Sequence, residues 1–331
     1  MSNASRLEVE NLRTEFVTRR GVVKAVNDVS FSVAAGETVG LVGESGCGKS
    51  ATVRSMIGLI RPPGRVVAGQ VRLGDRELVG MRPRALRRIR GAEIGFVGQS
   101  PFGALNPVLT IERQFANVVL AHRKASRSAI RNHALLALRD VGIAGPERVL
   151  DGYAHELSGG MAQRVVIAMA MALDPSVLIA DEPTTALDVT VQRQILDLIT
   201  KLVRSHDRML LLVTHDLGVV AQYCDRVVVM YAGKVVEQGP VRQVITAPAH
   251  PYTDALLRAV PRAGRPLQSL PGRVPDLVDY PVGCPYRSRC ERAVERCAEQ
   301  MPEPDLVAPD HTVRCFVPLH AEIDDHAATE R

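Results

Sequence analysis

The sequence has no tryptophan, and aromatic residues make up only 4% of its 331 residues. Proteins that hold single-stranded nucleic acid stack its bases on aromatic side chains, so that class is disfavoured and no nucleic-acid partner is expected. Long apolar runs are missing too. The longest candidates, Val165–Leu173 and Met209–Val213, fall far short of the roughly 18 residues of a membrane-spanning helix. Met1–Glu10 is polar and charged and lacks the apolar core of a signal peptide. The expectation is a cytosolic protein, or one held at a membrane by a partner. Charge of either sign is also modest. The 41 Lys and Arg against 36 Asp and Glu leave +5, which permits a phosphorylated ligand and demands none. With 46% hydrophobic and 23% charged residues, the composition excludes disorder, collagen and a small disulfide scaffold. At roughly 150 residues per domain the length suggests about two domains.

Proline and cysteine are spread unevenly. Nine of the 21 prolines lie in residues 1–247 and twelve in 248–331, and four of six cysteines also fall in that last quarter. A turn-rich extension (246–331) is expected to follow a larger unit (1–245). His320–Arg331, almost without large apolar side chains, is expected to fray. The larger unit reads as α/β. Val39–Val42, Val177–Ala180 and Met209–Val213 are short apolar runs of the kind that form buried strands. A helix is expected from Lys49 to about Leu59, stopped by Pro62-Pro63, and others over Val189–Val203 and Leu217–Tyr223. Arg226–Tyr231 and Lys234–Gln238 around Gly233 read as a hairpin. Parallel strands alternating with helices imply a sheet covered on both faces. Residues 102–173 read as mostly helical, and a helical subdomain of about 100–170 is expected between strands.

Gly43-Glu44-Ser45-Gly46-Cys47-Gly48-Lys49-Ser50 fits G-x-x-x-x-G-K-[ST], after an expected strand and before an expected helix. Glycines 43, 46 and 48 allow backbone angles that other residues resist, so successive N–H groups can converge on phosphate oxygens. The helix start adds its positive dipole end. Gly43 to Ser50, with Ala51 after them, are the expected phosphate-binding residues; Lys49 reaches the β- and γ-phosphates and Ser50 ligates Mg²⁺. Asp181 and Glu182 follow an expected strand, where an aspartate can hold Mg²⁺ through water and the next acid can deprotonate attacking water. His215 follows the next strand and can meet a γ-phosphate. Ser158-Gly159-Gly160 opens another apolar helix, a second potential anion-binding end, although by itself it reads equally as a helix cap.

Together these stretches resemble the nucleotide-binding subunit of an ATP-binding-cassette (ABC) transporter. Gly43–Ser50 matches the family's Walker A motif and Val177–Glu182 its Walker B. Leu157–Gln163 resembles the signature, with Met161 where a glutamine usually stands. Gln99 matches the Q-loop glutamine, Ala186-Leu187-Asp188 the D-loop, His215 the switch histidine and Phe16 the aromatic against adenine. Residues 99–107, 157–164, 249–257 and 271–277 are similar to the oligopeptide and dipeptide importers, the last two within their C-terminal region. The resemblance implies a P-loop NTPase fold and ATP hydrolysis with Mg²⁺ at Ser50, Gln99 and Asp181. It implies catalysis by Glu182, His215 and Gln99, completed by Ser158, Gly159 and Gly160 of a second cassette. The partners implied are a related but distinct ATPase subunit, two permease subunits and an extracytoplasmic peptide-binding protein, with this chain on the cytoplasmic side of the inner membrane. Cargo could also be nickel or another small solute. A soluble cassette acting on ribosomes or DNA is the reading of another class, and usually carries two cassettes or a coiled-coil insertion.

Cys284, Cys290, Cys297 and Cys315 are separated by five, six and seventeen residues. Their spacing lacks the close pair zinc often uses, and disulfides are rare in the cytosol. Four free thiols or an iron–sulfur cluster remain open. The resemblance implies a 4Fe–4S cluster on these four cysteines, stapling the proline-rich extension. Cys47 reads as a small tolerated side chain whose oxidation would block nucleotide, and Cys224 as packing.

Overall fold

The computed structural model describes residues 6–185, 187–260, 270 and 272–319. Ala186, Pro271 and the expected frayed end His320–Arg331 lie outside the described residues.

Apolar runs that cannot face water occupy the centre. In chain order the strands are β1 (Arg6–Thr18), β2 (Gly21–Ala34), β3 (Thr38–Val42), β4 (Gly64–Leu73), β5 (Arg76–Glu77) and β6 (Ile94–Val97), then β7 (Val177–Asp181), β8 (Met209–Thr214), β9 (Arg226–Tyr231), β10 (Lys234–Pro240), β11 (Asp305–Ala308) and β12 (His311–Val313). The larger sheet runs β11-β12-β10-β9-β3-β8-β7-β6. Its strands β9, β3, β8, β7 and β6 are parallel, and every residue of β3, β7 and β8 is buried. This is the pattern of a sheet covered on both faces. The expected hairpin is β9–β10, antiparallel about Gly233.

The helices are α1 (Lys49–Met56), α2 (Pro83–Ile89), α3 (Pro101–Ala104), α4 (Ile111–Leu120), α5 (Arg127–Asp140), α6 (Pro146–Asp151), α7 (Gly159–Met171), α8 (Val189–Arg204), α9 (Leu217–Tyr223), α10 (Val241–Thr246), α11 (Pro251–Ala259) and α12 (Arg296–Glu299). Helices α3 to α7 follow one another without a named strand, around a core that includes Ile111, Phe115, Leu138 and Leu150. Helix α1 is shorter than its apolar pattern suggests. It ends at Met56 because Gly58 turns left-handed at φ +61°, a glycine stop that acts before the prolines.

A second sheet, β2-β1-β4-β5, is antiparallel. It was not anticipated from the sequence. Thr14 of β1 and Ser55 of α1 share a buried hydroxyl hydrogen bond of 2.7 Å, which fastens this sheet to α1.

The segment after residue 245 joins the main body through strand pairing and a common core. Glu237 and Gln238 of β10 pair with Val313 and Thr312 of β12. Tyr252, Leu257 and Tyr286 share one cluster with Val42, Leu217, Val220 and Tyr231. Glu237, whose side chain is fully buried, accepts hydrogen bonds from His311 Nε2 (2.7 Å), Ala249 N–H (2.7 Å) and His250 N–H (2.9 Å).

Candidate functional site

Parallel register brings the site together. Val42 of β3 lies beside Thr214 of β8, and Val213 beside Asp181 of β7. The three strands therefore end at one edge, where open α/β sheets hold their ligands. The Gly43 loop leaves β3 there, Glu182 follows β7 and His215 follows β8.

In the loop, glycine is required where the backbone passes close to its surroundings. Gly48 has φ +106°, and a Cβ there would collide with the Ala25 carbonyl; at Gly43 it would collide with the Met230 carbonyl. Ser45 and Gly46 form the exposed crest, Cys47 is buried beneath it and Gly48 leads into α1. Ala51 stands in the first turn of α1, half-buried against the core. Lys49, buried, donates from Nζ to the Gly43 carbonyl (2.7 Å) and the Glu44 carbonyl (3.1 Å). Its ammonium thus lies within the curl of the loop. Burial pushes the Cys47 thiol up despite the nearby Lys49 charge, so this cysteine is a neutral spacer at neutral pH.

Ser50 donates from Oγ to Asp181 Oδ1 at 3.0 Å. Burial raises the Asp181 carboxyl, and its bond from Ser50 offsets that only in part. Two hard oxygen donors thus meet in a dry corner, a donor set suited to Mg²⁺.

Glu182 sits in the left-handed region at φ 49°, held by its N–H bond to the Val213 carbonyl at 2.9 Å. Its Oε2 accepts from Gln99 Nε2 (2.7 Å) and Thr185 Oγ1 (3.1 Å), and Oε1 faces His215 Nδ1 at 3.6 Å. Burial acts to raise its pKa, but the bonds from Gln99 and Thr185 and the His215 and Lys49 charges outweigh that and lower it. It is a carboxylate at neutral pH, with one oxygen tied down and one facing the exposed His215.

The remaining expected residues lie elsewhere. Ser158 caps α7, accepting from the Met161 N–H at 3.3 Å. The atoms nearest a Cβ at Gly159 and Gly160 belong to Leu187 and Val191, so this end stands beside the start of α8, which Asp188 caps. Phe16 is half-buried on β1 over Gly64, two residues past the Thr14 link to α1.

Two residues that the sequence reading missed come from the far end of the chain. The Glu44 N–H donates to Tyr252 Oη at 2.9 Å. Arg289 grips both carboxylate oxygens of Glu44, at 2.6 and 3.1 Å. Behind them Tyr231, Tyr252 and Tyr286 form a ring cluster with centroids 4.6–5.3 Å apart. Tyr252 lies inside the matching stretch 249–257, but neither residue carries a motif that names the loop as its partner. Thr185, three residues past Glu182, went unnoticed for the same reason.

The four late cysteines are near enough to influence one another electrostatically. The Cys284 N–H donates to the Cys297 carbonyl at 2.8 Å, and no disulfide joins any of them. Burial raises the thiols of Cys284 and Cys315 to about 11 each, and the neighbouring cysteines add to that. Among the described residues, no group of three or more His, Cys, Asp or Glu side chains is arranged to hold a metal ion. The geometry therefore lends the expected iron–sulfur cluster no support of its own.

Residues 26–185 match the family described as ABC transporter, and 236–297 the oligopeptide/dipeptide transporter C-terminal region. The chain is 46% identical over 315 residues to the dipeptide transport ATP-binding protein DppD of Bacillus subtilis, covering 94% of each. The chain belongs to the ABC transporter ATPases. Another relative of this ABC ATPase, the DppD of Escherichia coli, is 43% identical over 95% of this chain and 97% of its own. The fold is shared with a solved ATP-binding cassette, MJ0796, dimeric and bound to ADP and phosphate after hydrolysis. That likeness has TM-score 0.64 and 28% identity over 71% of this chain and 99% of the other. The cbiO1 subunit of Clostridium perfringens, part of the transporter complex cbiONQ, is similar with TM-score 0.61 and 28% identity, over 72% of this chain and 90% of its own. No helix among the described residues of this ABC ATPase is long and apolar enough to cross a membrane.

Proposed function

We propose that this chain is the ATP-hydrolysing subunit of an importer for peptides, seated peripherally on the cytoplasmic face of the membrane against two permease subunits. A peptide-binding protein outside delivers the cargo, and a related but distinct cassette completes the ATPase pair. The observation that carries this reading is the convergence of Lys49, the Ser50–Asp181 pair and the Gln99–Glu182–His215 group on one sheet edge. Similarity to dipeptide transport proteins along 94% of the chain gives the peptide cargo.

The residues divide the work as their geometry suggests. The Gly43–Ala51 stretch cradles the triphosphate, and Lys49 exchanges its two carbonyl acceptors for phosphate oxygens. Ser50 and Asp181, with Gln99, would hold Mg²⁺, which when bound neutralises phosphate charge. Glu182 keeps Oε2 occupied by Gln99 and Thr185 and offers Oε1 to the water that attacks the γ-phosphate. His215, within reach of that oxygen, steadies the γ-phosphate. The Ser158–Gly160 end, beside the start of α8, serves the partner's nucleotide in the closed pair. Phe16 lies against adenine. The unit of residues 1–245 acts as the cassette, its helices over about 100–170 pass closure to the permeases, and 246–331 acts as the extension.

The four cysteines have the donor chemistry for a 4Fe–4S cluster, one thiolate per iron. There a bound cluster would hold the extension together. Iron and sulfide near four each per chain after anaerobic purification would support it; a colourless, iron-free protein would count against it. The function itself is tested by phosphate release from MgATP. Purified chain should hydrolyse it, and Lys49→Ala should lose nucleotide binding. Hydrolysis unaffected by Lys49→Ala would overturn the assignment of the site.

A further inference from the structure

Glu44 places a carboxylate at the second position of a loop that binds a polyanion. Left unpaired, its carboxylate would repel the phosphates. In this structure it is held at three points. Its N–H donates to Tyr252 Oη, its carbonyl accepts from Lys49 Nζ, and its carboxylate is gripped by both terminal nitrogens of Arg289. Tyr252 and Arg289 both come from the segment after residue 245.

Arg289 is itself firmly placed. Its side chain is 3% exposed. Its guanidinium lies 5.7 and 5.8 Å from the ring centroids of Tyr231 and Tyr286, and Nη1 reaches Tyr231 Oη at 3.3 Å. It directly precedes Cys290, in the cysteine loop whose ends are tied by the Cys284–Cys297 backbone bond. The charge of Glu44 is felt in the floor of the phosphate loop, where after burial it is among the influences raising the Cys47 thiol.

We propose that Arg289 is a positioning residue for nucleotide. It cancels the Glu44 charge and fixes the start of the phosphate loop, so the C-terminal extension is part of the MgATP-binding apparatus. This deepens the reading of Gly43–Ser50 as the triphosphate loop and rests on it. Arg289 acts through Glu44 on affinity, and leaves the hydrolytic group of Glu182, Gln99 and His215 alone.

The test is a double-mutant cycle on the full chain, with MgATP as titrant. Arg289→Ala should weaken binding on the order of tenfold, as one uncancelled charge in a partly buried loop would. It should raise KM while leaving kcat nearly unchanged, and the defect should shrink at high salt. Adding Glu44→Gln to Arg289→Ala should restore most of the lost affinity, with Glu44→Gln alone as the fourth corner. A purely structural arginine would show neither that recovery nor the salt dependence. Affinity unchanged in Arg289→Ala, or a double variant as weak as the single, overturns the proposal. If Arg289→Ala does not fold, Arg289→Gln is compared in the same way; failure of both to fold, with and without Glu44→Gln, also overturns it in favour of packing alone. Absence of MgATP binding by the unaltered chain would instead sink the site reading beneath it.

Discussion

Replacing Glu182 by glutamine separates binding from chemistry. Oε2 of Glu182 only accepts hydrogen bonds, from Gln99 at 2.7 Å and Thr185 at 3.1 Å, and an amide oxygen placed there would keep both. The amide nitrogen would then fall where Oε1 faces His215. There it cannot take a proton from water. The substitution thus removes the proposed base with little change in shape, and it deletes one negative charge from the group proposed to face the γ-phosphate. General-base action is worth about 10²–10⁴ in rate, or about 3–5 kcal/mol of barrier. Phosphate release at saturating MgATP should fall by that factor in Glu182→Gln, while MgATP affinity holds or tightens. The pH profile adds a check. Because the site lowers the Glu182 pKa, its charged form persists through neutral pH, and activity due to it should fade only below the ordinary carboxylate range. Turnover within tenfold of the unaltered chain, or a parallel loss of nucleotide binding, would refute the reasoning.

Ser50→Ala removes the hydroxyl that meets Asp181 at 3.0 Å, and should raise the Mg²⁺ concentration needed for half-maximal hydrolysis by about 10–100-fold, read from Mg²⁺ titrations at fixed ATP. Glu237→Ala leaves His311 and two backbone N–H groups buried without their acceptor; it should weaken docking of the extension by about 3–5 kcal/mol, seen in denaturant melts and as earlier proteolytic cleavage beyond residue 245. Burial lowers the His250 pKa to about 4 from 6.5, and its Nδ1 accepts from the Tyr252 N–H at 3.0 Å. The folded state therefore binds fewer protons there, so stability is full above pH 6.5 and falls toward pH 4 by roughly 3 kcal/mol in total. Equilibrium unfolding across that range checks it, and His250→Asn, which keeps an acceptor at the cap of α11, should flatten the slope.

What the chain reveals before folding depends on the range of the interactions. The runs at Val39, Val177 and Met209 are continuous and apolar because parallel strands are buried on both faces, and each gave a strand. The phosphate loop is legible because its glycines answer a local backbone demand. By contrast, β1 and β2 mix polar and apolar residues, and register shifts at Val9–Leu12 and Thr14–Glu15 interrupt their alternation. That antiparallel sheet was therefore missed. The apolar pattern runs past the end of α1 because Pro62-Pro63 is the more conspicuous stop, while Gly58 ends the helix earlier. The pairing of Glu44 with Arg289 spans 245 positions and rests on one charge among many. Only the folded β10–β12 pairing and the tyrosine cluster select it. The cluster that the resemblance implies on Cys284, Cys290, Cys297 and Cys315 finds no such support: among the described residues their side chains are not arranged to hold a metal ion.

Hydrolysis at this loop is proposed to drive peptides across a membrane. The most direct measurement is uptake of a labelled dipeptide by vesicles containing this chain together with the proposed permease subunits, partner cassette and binding protein, with MgATP supplied on the side that this chain occupies. Uptake should require MgATP and stop when this chain carries Glu182→Gln. Equal uptake with the altered chain, or MgATP consumed with no peptide moved, would contradict it.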